Sequence, residues 1–106
     1  MRVLKRRRIV SIAEFSIHPI GTGTSVGKYV KRALQAISKI DGLEFQVTAM
    51  ATILEAKDVQ TILRAVEASH SALRAMGGKR ISSTLRIDER PGKPRTMSDK
   101  TESLEY

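Results

Sequence analysis

No cysteine occurs among the 106 residues. That absence removes disulfides, thiolate metal sites and cysteine nucleophiles together, and it is compatible with a reducing compartment, so a cytoplasmic protein is expected. Two histidines, His18 and His70, are too few without cysteine for a dedicated transition-metal site, and no metal or cofactor is expected. No apolar run approaches the ~18 residues of a membrane span. Residues 1–8 are not followed by the long apolar stretch and small-residue cleavage site of a signal peptide, so no membrane association is expected.

What is abundant is positive charge, and it is unevenly spread. Of the net +8, five charges sit in the first eight residues as Arg2, Lys5, Arg6, Arg7 and Arg8, leaving +3 for the remainder. This reads as a basic N-terminal arm over 1–8 followed by a single domain over 9–106. Such an arm could touch nucleic acid or anionic lipid, but a solvated terminal extension is the commoner meaning.

Within the domain, hydrophobic periodicity places the elements. Ile9 to Ile17 alternates and is β-branched-rich, a strand stopped by Pro19 and Gly21. Ser25 is placed to cap a helix whose apolar stripe is Val26, Tyr29, Val30, Ala33, Leu34, Ile37 and Ile40, closed by Asp41-Gly42. Leu43 to Ala49 and Ala51 to Ala56 form a tight antiparallel pair turning near Met50, although neither glycine nor asparagine is present to make the turn. Asp58 caps a second helix with stripe Val59, Ile62, Leu63, Val66, His70, Leu73 and Met76, ending at Gly77-Gly78. Arg80 to Asp88 is the fourth strand. Glu89 to Arg95 has loop composition, and Thr96 with Asp99 suggests a capping box for a short C-terminal helix.

The order strand, helix, strand, strand, helix, strand is that of an α+β, ferredoxin-like βαββαβ sandwich, with two helices on one face of a four-stranded antiparallel sheet. Parity divides each strand between faces. Ser11, Ala13, Phe15 and Ile17, with Phe45, Val47, Ala49, Ile81, Leu85 and Ile87, belong under the helices. The other face collects Val10, Ile12, Glu14, Ser16, Gln46, Thr48, Ile53, Glu55, Ser82, Thr84 and Arg86. Apolar at one end and polar at the other, it is expected to be covered by a second copy of the chain, leaving the polar end as a pocket.

Glu14 is the focus of that face. An ionised carboxylate on a half-buried sheet costs several kcal/mol unless it is paired, hydrated or bound. With Gln46, Thr48 and Glu55 it would suit a heteroaromatic ligand bearing an amino group or positive charge; the plain alternative is a cross-strand pair with Arg86. Gly21-Thr22-Gly23-Thr24-Ser25 precedes a helix N-terminus that could hold an anion, but its spacing is not the dinucleotide fingerprint, and a turn plus cap is its ordinary use. His18 adjoins this loop without the context of a catalytic group. His70 reads as a packed, hydrogen-bonded side chain.

The ordered set Glu14-Phe15-Ser16-Ile17-His18-Pro19-Ile20-Gly21-Thr22-Gly23-Thr24-Ser25, Tyr29-Val30, Gly42 to Thr48, Met50 to Glu55, Arg86 to Arg90 and Lys93 to Met97 resembles the thiamine-binding family of small ferredoxin-like proteins, from about Ser11 to Lys100. The resemblance implies a homo-oligomer, a dimer or more commonly a homotetramer built by sheet-to-sheet packing, which binds thiamine or its hydroxymethylpyrimidine moiety and has no established catalysis. The positions matching the family's polar pattern are Glu14, Ser16, Thr24, Gln46, Thr48 and Glu55. The chain departs from that pattern with Ala49 and Ala51, where the family often has proline and glycine, and with its basic arm.

Two rivals are weighed against this reading. RNA-recognition modules share the topology but stack bases on exposed sheet aromatics, and parity sends Phe15 and Phe45 under the helices, so a nucleic-acid role would rest on the arm alone. An enzyme using Glu14 or Glu55 as general base lacks a nucleophile and acid positioned with it.

Overall fold

The computed structural model describes residues 11–23 and 26–90. Six elements follow in the expected order: β1 (Ser11–Pro19), α1 (Gly27–Ile37), β2 (Glu44–Val47), β3 (Thr52–Ala56), α2 (Val59–Ala75) and β4 (Ile81–Glu89). The strands form one sheet in the order β2-β3-β1-β4, every neighbouring pair antiparallel. This is the ferredoxin-like α+β arrangement. The basic arm, Thr24, Ser25 and the C-terminal capping box with its short helix lie outside the described residues.

Alternation along β1 is complete: Ser11, Ala13, Phe15, Ile17 and Pro19 are buried, and Glu14, Ser16 and His18 are exposed. The hydrophobic core joins Ala13, Phe15 and Ile17 of this set to Leu54, Ala56, Tyr29, Ala33, Ile37, Leu43, Ile62, Ala65 and Leu73. One sheet face therefore packs under both helices.

Two details differ from the periodic reading. The buried line of α2 is Ile62, Ala65, Ser69 and Leu73, while Leu63 is 48% exposed; small Ala65 and Ser69 occupy the contact line and let the helix lie close. Ser69 satisfies its buried hydroxyl by donating to the Ala65 carbonyl at 2.8 Å. The cap of α1, expected at Ser25, falls at Val26, which makes no side-chain cap bond.

The ends of α2 follow local chemistry. The Asp58 carboxylate accepts from the Thr61 hydroxyl at 2.6 Å and the Thr61 amide at 2.9 Å. At the other end Gly78 N–H donates to Leu73 and Gly77 N–H to Arg74, both at 2.9 Å, with Gly77 at φ +93°. This is a Schellman closure that favours glycine.

The two Thr61 hydrogen bonds, the hydroxyl's foremost, hold the Asp58 carboxyl below its ordinary pKa. A lowered folded value means stability present above the unfolded value of about 3.9 and lost as pH falls through the folded one. Asp58→Ala is expected to cost about 1 kcal/mol at pH 7. Urea midpoints of the two proteins should converge as the pH is lowered below about 4; a gap of constant size at pH 7 and pH 3 would contradict the cap.

Candidate functional site

The β2–β3 hairpin turns through Ala49 and Met50 with no non-glycine residue at positive φ, so it is not one of the primed turns that favour asparagine and glycine. Thr48 supplies the missing turn chemistry. Its hydroxyl donates to the Ala51 carbonyl at 2.7 Å and accepts from the amides of Ala51 at 3.1 Å and Met50 at 3.4 Å. Its backbone amide also donates to the Ala51 carbonyl, at 2.8 Å.

β1 is nine residues long and β3 five. Their pairing stops at Phe15↔Thr52, whereas β4 accompanies β1 through Pro19. Among the described residues the β3 side of β1 is vacated beyond Phe15, and there a cavity of about 240 Å³ opens between β1, α1 and the hairpin. Phe15, Ile17, Val30, Ala33, Leu34 and Ile37 form its apolar wall, and Ser16, Ser69 and residues 47–52 contribute the rest. The volume lies below the roughly 300–1,000 Å³ of a drug-sized ligand site, so it is room for one ring.

The six residues singled out from sequence divide around this cavity. Ser16 and Thr48 line it, although the Thr48 hydroxyl is engaged in the turn. Glu14 is exposed on the open sheet face, two residues from Ser16, and in register with Ile53 and Arg86. Among the described residues no ion pair joins Glu14 to Arg86. On a single chain water meets the carboxylate, so the burial cost inferred from the strand pattern does not arise there. Gln46 is exposed on the same face, opposite Ile53. Glu55 is 2% exposed and stands three residues along β3 from Thr52, roughly 10 Å away at strand spacing; it is not brought into the cavity. Thr24 lies outside the described residues.

His70 bonds Ser83 across α2 and β4, Nε2 to Oγ at 2.7 Å, as expected of a packed histidine. Among the described residues no group of three or more His, Asp or Glu side chains is placed to hold a metal ion. No helix there is long and apolar enough to cross a membrane. No described aromatic lies on the open face: Phe15 pairs with Thr52 and Leu85, and Phe45 with Leu54, all on the helix side.

No motif in the sequence marks the wall formed by Val30, Ala33, Leu34 and Ile37 as a site, because an apolar helix stripe reads as core. The signal that could have revealed it is the unequal length of the first and third strand runs.

Residues 13–105 match the sequence pattern of the family described as "Thiamine-binding protein". The chain belongs to the thiamine-binding protein family. A UPF0045 protein of Methanothermobacter thermautotrophicus is 38% identical over 93 residues, 87% of this chain and 93% of the relative. MJ1052 of Methanocaldococcus jannaschii, also a UPF0045 protein, is 41% identical over 93 residues, 88% of this chain and 90% of its own length. The crystal structure of MJ1052 superposes with a TM-score of 0.78 at 42% identity, covering 92% of this chain and 96% of that one. A Thermotoga maritima protein provisionally assigned to thiamine biosynthesis or salvage, TM0486, shares the fold at a TM-score of 0.71 and 21% identity, covering 90% of this chain and 98% of that one.

Proposed function

We propose that this member of the thiamine-binding family binds thiamine or its hydroxymethylpyrimidine moiety without transforming it, in the cytoplasm and as a homo-oligomer. The supporting observation is the cavity at the vacated edge of β1, which has room for one ring between apolar walls. The pyrimidine enters it, and the cationic thiazolium stays outside. On leaving past Ser16 the cation meets the open sheet face, where Glu14 is the nearest carboxylate along β1. Gln46 lies across that face; of the rest of the polar set implied by the family resemblance, Thr24 precedes α1 in the chain, and Glu55 stands apart from the cavity and is not assigned to the ligand.

A second copy packed on the open face would cover Ile12 and Ile53, both partly exposed, and take Glu14 out of bulk water. There the carboxylate would gain in strength as a partner for the cation, because the local dielectric falls. The absence of an aromatic platform on the described part of this face weighs against RNA stacking as the use of the sheet.

Titration calorimetry with thiamine tests the reading directly: saturable heat is expected, and no heat or thermal shift at millimolar ligand would remove it. Glu14→Gln keeps the shape and removes the charge, and is expected to weaken thiamine by about 1–3 kcal/mol. The neutral hydroxymethylpyrimidine should lose less. An equal loss for both ligands would place the cation elsewhere.

A further inference from the structure

Two backbone bonds establish which way each amide of β1 points. Ile20 N–H donates to the Arg80 carbonyl at 2.7 Å, and the β1–β4 register, which ends at Pro19↔Ile81, sets Ile20 opposite Arg80 when carried one residue further. In an antiparallel ladder, directly opposed residues alternate between pairs that exchange backbone bonds and pairs that do not. His18, Ser16, Glu14 and Ile12 therefore bond toward β4, and the odd-numbered residues of β1 point toward β3. The bond from Thr48 N–H to the Ala51 carbonyl gives the same phase independently. It turns the odd-numbered residues of β3 toward β2, leaving Thr52, Leu54 and Ala56 to bond Phe15, Ala13 and Ser11.

Continued by two residues, the ladder would set Met50 opposite Ile17. It does not continue: pairing ends at Phe15↔Thr52, and the Met50 amide is held by the Thr48 hydroxyl. The N–H and C=O of Ile17 thus face the vacated side, where Ile17 lines the cavity and is itself only 8% exposed. Among the described residues no backbone bond from outside the strands reaches Ile17. The next residue of the same phase is Pro19, which has a carbonyl and no N–H. Among the described residues the edge from Ile17 to Pro19 is consequently left open, and it offers one donor and two acceptors. An incoming strand would find no donor at Pro19, so proline blunts this edge against pairing.

We propose that the main chain of Ile17 is the recognition element of the cavity, and that it selects nitrogen heterocycles carrying an amino group next to a ring nitrogen. In an extended residue the N–H and C=O lie side by side and point the same way, as they do when they exchange bonds with an opposed residue. The ring nitrogen accepts from Ile17 N–H, and the amino group donates to Ile17 C=O. A 4-aminopyrimidine presents that pair of groups on one edge; a 4-oxopyrimidine protonated at the adjacent nitrogen presents the reverse pair. Buried polar groups left without partners make such selection strong. This inference rests on the thiamine reading and goes beyond it by assigning selectivity to backbone, where no side-chain substitution would reveal it.

The full-length protein is titrated with thiamine, with hydroxymethylpyrimidine, with its N,N-dimethylamino analogue and with its 4-oxo analogue, and amide exchange at Ile17 is followed with and without hydroxymethylpyrimidine. Both analogues are expected to bind at least about 10-fold more weakly than the parent, the order of one lost buried hydrogen bond, and Ile17 exchange is expected to slow on binding. If thiamine and its pyrimidine bind but the analogues bind equally well, or Ile17 exchange is unchanged, the backbone assignment is overturned and the thiamine reading stands. If neither thiamine nor the pyrimidine binds, both are overturned.

Discussion

Leu54→Ala is expected to lower the unfolding free energy by about 2–5 kcal/mol, the range for removing a large aliphatic side chain from a packed interior. Leu54 is fully buried and stands in register between Phe45 and Ala13 at the centre of the helix-facing side of the sheet. The loss combines transfer of the removed carbons with the void they leave, and neighbours held on three strands cannot close in to fill it. Leu63→Ala is the matched control. Leu63 has the same side chain but is 48% exposed on the outside of α2, so its loss should stay within about 0.5 kcal/mol. Urea unfolding of both variants reads the difference directly. Comparable losses at the two positions would mean that the helix stripe is turned differently from the one described.

Val30→Phe is expected to reduce thiamine affinity by at least about 100-fold while leaving thermal stability unchanged or raised. Val30 lies half-buried on α1 and lines the cavity without belonging to the fully buried core. A larger ring there can grow into empty volume, so the usual cost of overpacking a filled interior is avoided. The added ring would take the space proposed for the pyrimidine. Calorimetry with thiamine and a melting curve separate the outcomes: lost binding with an intact melt supports the cavity as the site. Wild-type affinity in a folded variant would move the ligand out of the cavity, and the sheet face around Glu14 and Gln46 would become the place to look.

The contrast between Thr48 and Ala49-Met50 shows how far local reading reaches. The sequence predicts a tight turn there with no residue suited to positive φ, and the structure resolves this through a side chain: one threonine hydroxyl makes three bonds across the loop. Thr48 is therefore a builder of the cavity rim, with its hydroxyl already engaged. Glu14 illustrates the reverse limit. Its position on the open face is legible from parity along β1, but its exposure depends on what stands over that face, which is a matter of assembly.

Residue spacing by itself determined the order of elements, the face of each strand, the Asp58 cap and the glycine closure of α2, because these follow from backbone geometry and side-chain periodicity within a few residues of chain. The family pattern was equally present in the sequence, as an ordered set of short motifs. Only the tertiary structure decided that β3 leaves β1 after Phe15, that α1 walls the gap with Val30, Ala33, Leu34 and Ile37, and that Glu55 stays away from it. Where paired strands part depends on the register and twist of segments distant in sequence, and an apolar residue lining a cavity has the same local signature as one filling a core.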